Sequence, residues 1–224
     1  MLQEIDFISK NHKKIQRDYL ARVNDEIYPK HKAAELAKKF SYEYWDGDRR
    51  ICYGGYKYIP GYWTEVAFNL IKFYKLPSNA KILDIGCGKG FLLYEISKIL
   101  PNAEIKGIDI SEYAIENSKK EIKSNLKVGN ANSLPFSDNY FDLVISINSL
   151  HCLHTYDLEK ALLEMERVGI KEKYLCVESY RSEKEKANLL YWQVTCEAFN
   201  TPDEWIWWFN KTAYKGDYSF IYFE

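Results

Sequence analysis

Apolar residues along this chain gather into short runs that stop at a polar residue or a glycine, and between the runs the pattern shifts to helical spacing. Residues 82–85 (Ile-Leu-Asp-Ile) form such a run and break into Gly86-Cys87-Gly88-Lys89-Gly90, after which Phe91, Leu92, Leu93 and Ile96 predict a helix. Residues 103–110 predict a second strand ending at an acid, residues 126–131 a short third, residues 141–148 a fourth, and residues 174–179 a fifth. Runs that are apolar on both faces belong to strands covered from both sides. Strands alternating with helices predict an α/β domain over residues 80–224. Thr201-Pro202-Asp203-Glu204 predicts another helix start, with Thr201 as N-cap, Pro202 at the first helical position and Glu204 completing a capping box. Trp205, Trp208 and Phe209 follow at helical spacing and read as core rather than as a ligand platform. Residues 218–223 alternate as a strand does. Residues 1–46 mix charged and apolar positions at helical spacing, through Ile8, Ile15, Leu20, Val23, Ile27, Leu36 and Phe40, with Pro29 separating two helices.

Composition narrows the partners. A length of 224 residues fits one domain with a cap. The chain carries 31 Lys and Arg against 32 Asp and Glu, a net charge of -1, so it lacks the basic excess of a nucleic-acid binder and no nucleic acid is expected as partner. No apolar run approaches the ~20 residues of a membrane span. Met1-Leu2-Gln3-Glu4-Ile5-Asp6 lacks the basic and apolar regions of a signal peptide. The cysteines Cys52, Cys87, Cys152, Cys176 and Cys196 are scattered and odd in number, which predicts reduced thiols, no zinc site and a cytoplasmic location.

The chemistry starts at the glycine turn. Its spacing is Gly-x-Gly-x-Gly, because Phe91 stands where the last glycine of a dinucleotide fingerprint would be. Glycines there let the backbone approach a ligand closely. Asp84, two residues before the first glycine, would repel a pyrophosphate and welcome a cation. Asp109, roughly 20 residues beyond the turn, stands where a carboxylate accepts ribose hydroxyls in βαβ units. A ligand with an ammonium, a sulfonium and a ribose fits this set.

The run of motifs over roughly residues 80 to 155 resembles the class I S-adenosylmethionine-dependent methyltransferases. The resemblance implies a Rossmann-like fold, a mostly parallel twisted sheet with helices on both faces and an N-terminal helical cap, and residues 218–223 running antiparallel at the sheet edge. It implies S-adenosylmethionine as cofactor and S-adenosylhomocysteine as product. The residues expected to hold the cofactor are Asp84, Gly86, Cys87, Gly88, Asp109, Ile110, Asn130, Ala131 and Asn148. Asn130 stands where the family usually has an acid; its amide still pairs with the adenine edge. Residues 1–79 are expected to form the cap and an aromatic lid loop.

Residues 42–63 interleave tyrosines, tryptophans, paired glycines and charges without helical or strand period. Such a loop costs entropy unless it has a task. It either plugs the gap between cap and sheet or closes over a sulfonium, which aromatic faces attract. On the second reading Tyr53 and Tyr56 act at the reacting centre, and Tyr58 and Arg49, with Arg50 or Lys57, meet the substrate, the arginines suiting a phosphate or carboxylate. His151 and His154 follow the fourth strand, and a histidine there either packs the next helix or takes the proton of a hydroxyl acceptor. His151 is the candidate base and His154 a candidate substrate contact. The expectation is a monomeric or homodimeric methyltransferase of a small molecule, with no metal. The Tyr-Gly-Gly-Tyr loop and the Thr-Pro-Asp-Glu-Trp helix resemble methyltransferases of bacterial surface-polysaccharide loci, including those that finish O-methyl phosphoramidate groups on capsules. Acceptors such as tRNA, protein or a quinone-like metabolite, or a non-catalytic S-adenosylmethionine-binding regulatory subunit, remain the alternatives.

Overall fold

The computed structural model describes residues 2–8, 10 and 18–224. Six strands form one sheet in the order β3-β2-β1-β4-β5-β6. They are β1 (Lys81–Ile85), β2 (Glu104–Asp109), β3 (Leu126–Val128), β4 (Phe141–Ile147), β5 (Gly169–Glu178) and β6 (Asp217–Ile221), and every pairing is parallel. Among the described residues, the helices of eight or more residues are α1 (Lys30–Ala37), α3 (Thr64–Phe73), α4 (Phe91–Ile99), α6 (Thr155–Val168), α7 (Glu183–Trp192) and α8 (Pro202–Lys211); α2 (Tyr42–Trp45) and α5 (Glu112–Glu116) are single turns.

The pleat assigns alternate residues to two cores. Ile82, Leu143, Ile145, Tyr174 and Cys176 pack with Val66, Ala67 and Leu70 of α3 and Leu93 and Ile96 of α4. Leu83, Ile85, Val144, Leu175 and Val177 face the other way, against Leu158, Leu162 and Met165 of α6 and Trp205, Trp208 and Phe209 of α8. The expected α/β sheet covered on both faces is thus present. α8 carries the expected capping box: Thr201 Oγ1 accepts from Glu204 N at 3.3 Å and Glu204 Oε2 accepts from Thr201 N at 2.7 Å.

Two expectations are corrected. β6 runs parallel to β5, not antiparallel. α7 and α8 carry the chain back across the sheet, so β6 enters from the same end as β5, as a helical crossover requires. Its outer edge is met by the N-terminal segment, where Ile5 N donates to Tyr218 O at 2.7 Å and Tyr218 N to Gln3 O at 3.0 Å. Residues 2–8 are accordingly not a helix. Residues 18–28 are turns rather than helix: Asp18 Oδ1 accepts from the N–H groups of Leu20 and Ala21, and Asp25 Oδ1 from those of Ile27 and Tyr28. Such side-chain acceptors offer the backbone an alternative to the helix ladder. Leu20, Val23 and Ile27 stay exposed. Ile15 lies outside the described residues. Pro29 does mark a boundary, being the residue before α1. α1 and α2 form a third apolar cluster, with Ala33, Ala37, Tyr44, Trp45 and Ile51 packed beside Ala114 and Val194.

Candidate active site

Strand order reverses between β1 and β4, and in such sheets ligands bind outside the carboxyl ends of the strands at the reversal. A cavity of about 530 Å³ lies there, lined from β1, β2, β4 and β5 below and from residues 40–63 above. This volume falls within the usual range for small-molecule sites.

Gly86 and Gly88 set the floor. Both have positive φ (77° and 53°). A Cβ on Gly86 would meet Ser149 Oγ at 2.0 Å, and one on Gly88 would meet the Trp45 ring at 2.9 Å. Asp84 and Asp109 are buried beside this turn. Asp109 Oδ2 accepts from Gly88 N at 2.7 Å and Oδ1 from Ser111 N at 2.8 Å. Burial, then the neighbouring Asp109 charge, pushes the Asp84 carboxyl up to about 7. Burial also raises Asp109, opposed by its two backbone hydrogen bonds. Two buried carboxylates without a cationic partner among the described residues call for a cationic ligand. The lysine of the turn does not serve: Lys89 Nζ donates to both Asp46 oxygens (2.8 and 2.6 Å) and to Tyr56 O (2.9 Å). Ile110, Asn130, Ala131 and Asn148 border the same cavity.

The roof is aromatic. Trp45 Nε1 donates to Ser111 Oγ at 2.9 Å, which ties residues 40–63 to the end of β2. Trp45 stacks on Tyr53 (centroids 5.5 Å, 8°), and Tyr56 stacks on Phe91 (5.2 Å, 20°). Burial holds the Tyr53 and Tyr56 phenols well above their ordinary range, so at neutral pH they are donors and not bases.

At the far end His151 and Glu178 are buried together. His151 Nε2 lies 3.4 Å from Glu178 Oε2, and Glu178 N donates to His151 Nδ1 at 3.4 Å. Gln193 Nε2 donates to Glu178 Oε1. Arg22 and Arg49 line this end as well.

The methyltransferase-domain family model matches residues 76–214, more than half of the chain. The chain belongs to the class I S-adenosylmethionine-dependent methyltransferases. It is 37% identical to the ajmaline N-methyltransferase of Rauvolfia serpentina over 103 residues, 42% of this chain and 33% of that protein. It is 37% identical to the mitochondrial arginine-hydroxylase NDUFAF5 of Homo sapiens over 93 residues, 41% of this chain and 26% of that protein. The YcgJ protein of Bacillus subtilis has the same fold, with a TM-score of 0.52 and 22% identity over 65% of this chain and 66% of that one. The chain spans less than half the length of the curated relatives it matches. One of these relatives is named a hydroxylase, so relatives that share this core differ in reaction.

For a class I methyltransferase the donor set fits S-adenosylmethionine. The nine residues expected at the cofactor all border the cavity, as do His151, Tyr53, Tyr56 and Arg49. Two expected substrate contacts do not. Tyr58 OH donates to Glu95 Oε1 on α4, outside the cavity, and also edges a shallow basic surface hollow with Lys119 and Lys120. His154 is exposed, with Nδ1 3.8 Å from Glu197 Oε2 and its ring stacked on Tyr156. Arg50 pairs with Asp48 instead of facing the cavity. Sequence reasoning missed Glu178, Gln193, Arg22, Trp192 and Ser149. Glu178 carried a usable signal, since it is an acid at a strand end like Asp109.

No helix among the described residues is long and apolar enough to cross a membrane.

Proposed function

We propose that this chain transfers a methyl group to an oxygen of a small anionic or sugar-linked acceptor. The observation that carries this reading is the continuity of one cavity from the Asp84–Asp109 pair, beneath the aromatic roof, to His151 and Glu178. When bound, S-adenosylmethionine supplies a methyl group on a sulfonium and is released as S-adenosylhomocysteine. Asp109 accepts the ribose hydroxyls, Asp84 faces the ammonium, and Asn130 pairs with the adenine edge. Trp45, Tyr53 and Tyr56 present neutral aromatic faces that favour a cation and exclude water. Alignment of donor and acceptor carries much of the rate.

The proton of a hydroxyl acceptor passes to the His151–Glu178 pair. An acceptor oxygen that is already ionised has no proton to give, and His151 then orients it by a hydrogen bond. The cations at the far end favour an acceptor with a phosphate, phosphoramidate or carboxylate, in keeping with a role in capsule or other surface-polysaccharide synthesis in the cytoplasm.

The test is methyl transfer from labelled S-adenosylmethionine to a panel of phosphorylated and neutral sugars, read as a mass gain of one methyl. Transfer to a phosphorylated sugar that is lost in His151→Ala supports the reading. Cofactor binding without transfer to any acceptor, tRNA and protein included, points to a non-catalytic role and overturns it.

A further inference from the structure

Arg22 is a buried cation that pairs with no carboxylate among the described residues. It is 7% exposed and sits in the turn held by Asp18. Its NH1 donates to Trp192 O at 2.6 Å and its NH2 to Cys52 O at 3.3 Å. Arg49, from the aromatic loop, donates to the same Cys52 carbonyl. Both guanidinium groups lie over the Trp192 ring, 4.9 and 5.8 Å from its centroid. The arginine–carboxylate pairs among the described residues are made by Arg50, Arg167 and Arg181, not by Arg22 or Arg49. Lys30 adds a third cation, donating to the carbonyl of Gln193, the residue after Trp192. Burying one guanidinium and bringing a second to the same carbonyl is costly unless an anion offsets the charge. Each guanidinium has five N–H donors, and carbonyl contacts leave several for a bidentate oxyanion. Both side chains border the cavity that holds His151 and Glu178.

We infer that Arg22 and Arg49, converging on the Cys52 carbonyl beside Trp192, form the subsite for the anionic group of the acceptor, a phosphate or a carboxylate. The division of charge orients the molecule. Glu178 repels an anion, so the anionic group goes to the arginines and the acceptor atom is left toward His151 and the glycine turn. This inference rests on the reading of the cavity as a methyltransferase site.

The experiment titrates the S-adenosylhomocysteine-saturated protein with phenyl phosphate, benzoate and benzyl alcohol by calorimetry. The expected result is binding of at least one anion, at least tenfold tighter than benzyl alcohol and weakened by added salt. Whichever anion binds tighter decides between phosphate and carboxylate. Arg49→Met and Arg22→Met should each weaken that anion at least tenfold while S-adenosylhomocysteine affinity is retained. Arg22 is buried and its variant can fail to fold; exposed Arg49 then decides. No preference for an anion over benzyl alcohol, or an unchanged anion affinity in folded Arg49→Met, overturns the subsite and leaves the cofactor reading intact. Failure of the wild-type protein to bind S-adenosylhomocysteine overturns the reading beneath it.

Discussion

The His151 ring meets Glu178 through both of its nitrogens: Nε2 lies 3.4 Å from the carboxylate Oε2, and Nδ1 accepts from the Glu178 backbone N–H at 3.4 Å. One strand-end residue therefore fixes the tilt of the ring and joins ring and carboxylate into one acid–base pair, so a proton taken at this end is shared between His151 and Glu178. Glu178 is itself fixed, since its carbonyl accepts from Trp205 Nε1 at 3.0 Å in the core under α8.

This arrangement predicts that His151→Ala lowers turnover on a hydroxyl acceptor by roughly 10²–10⁴-fold, the worth of a positioned base. Glu178→Gln keeps the shape and removes the charge, so it should lower turnover in the same direction, with cofactor affinity unchanged in both variants. Steady-state kinetics and the pH profile on one acceptor check this. A wild-type pH profile in His151→Ala would return the ring to a packing role.

Asp84 makes cofactor binding depend on pH. With its carboxyl pushed up to about 7, the apo site is increasingly protonated below that pH, and a cationic ligand has to displace the proton. S-adenosylmethionine affinity should therefore fall as pH drops through 7, approaching tenfold per unit well below it. Asp84→Asn should bind more weakly at pH 8 and lose this dependence. The linked stability has the opposite sense. A raised carboxyl contributes stability that is fully present below its unfolded value and is lost as pH rises through about 7, so the apo protein should melt lower at pH 8 than at pH 6. Calorimetric titration and thermal melts across pH 5–8.5 check both.

Asp46 holds the aromatic roof to the glycine turn. Besides Lys89 it accepts from Tyr113 OH at 2.8 Å and Tyr56 N at 3.0 Å. Asp46→Ala would strand Lys89, which is buried, and should cost about 1.5–3 kcal/mol, the range for hydrogen bonds to charged groups. Limited proteolysis should then cut sooner within residues 46–62, and bound cofactor should slow the cutting. Denaturant unfolding measures the loss; an unchanged midpoint contradicts the latch.

The cofactor half of the site was legible because each requirement falls on consecutive residues. A strand apolar on both faces, an acid at its end and glycines with positive φ can be read from one stretch, as residues 82–90 show. The direction of β6 was not legible, since alternation reveals which residues share a face and not which way the strand runs. The helical reading of residues 18–28 failed because Asp18 and Asp25 capture nearby N–H groups. Tyr58 and Tyr56 are near neighbours in the same loop and both pack on Phe91, yet Tyr58 turns its hydroxyl to Glu95 and Tyr56 borders the cavity, a choice set by partners distant in sequence. Arg22 is the hardest case: its position depends on Trp192 O, 170 positions away.

The most direct measurement is calorimetric titration of S-adenosylmethionine into the wild-type protein and Asp109→Ala. Asp109 is expected to accept the ribose hydroxyls while held by Gly88 N and Ser111 N, so its loss should weaken binding by about 1.5–3 kcal/mol. Equal affinity in the variant, or tighter binding of NAD than of S-adenosylmethionine by the wild-type protein, would contradict the assignment.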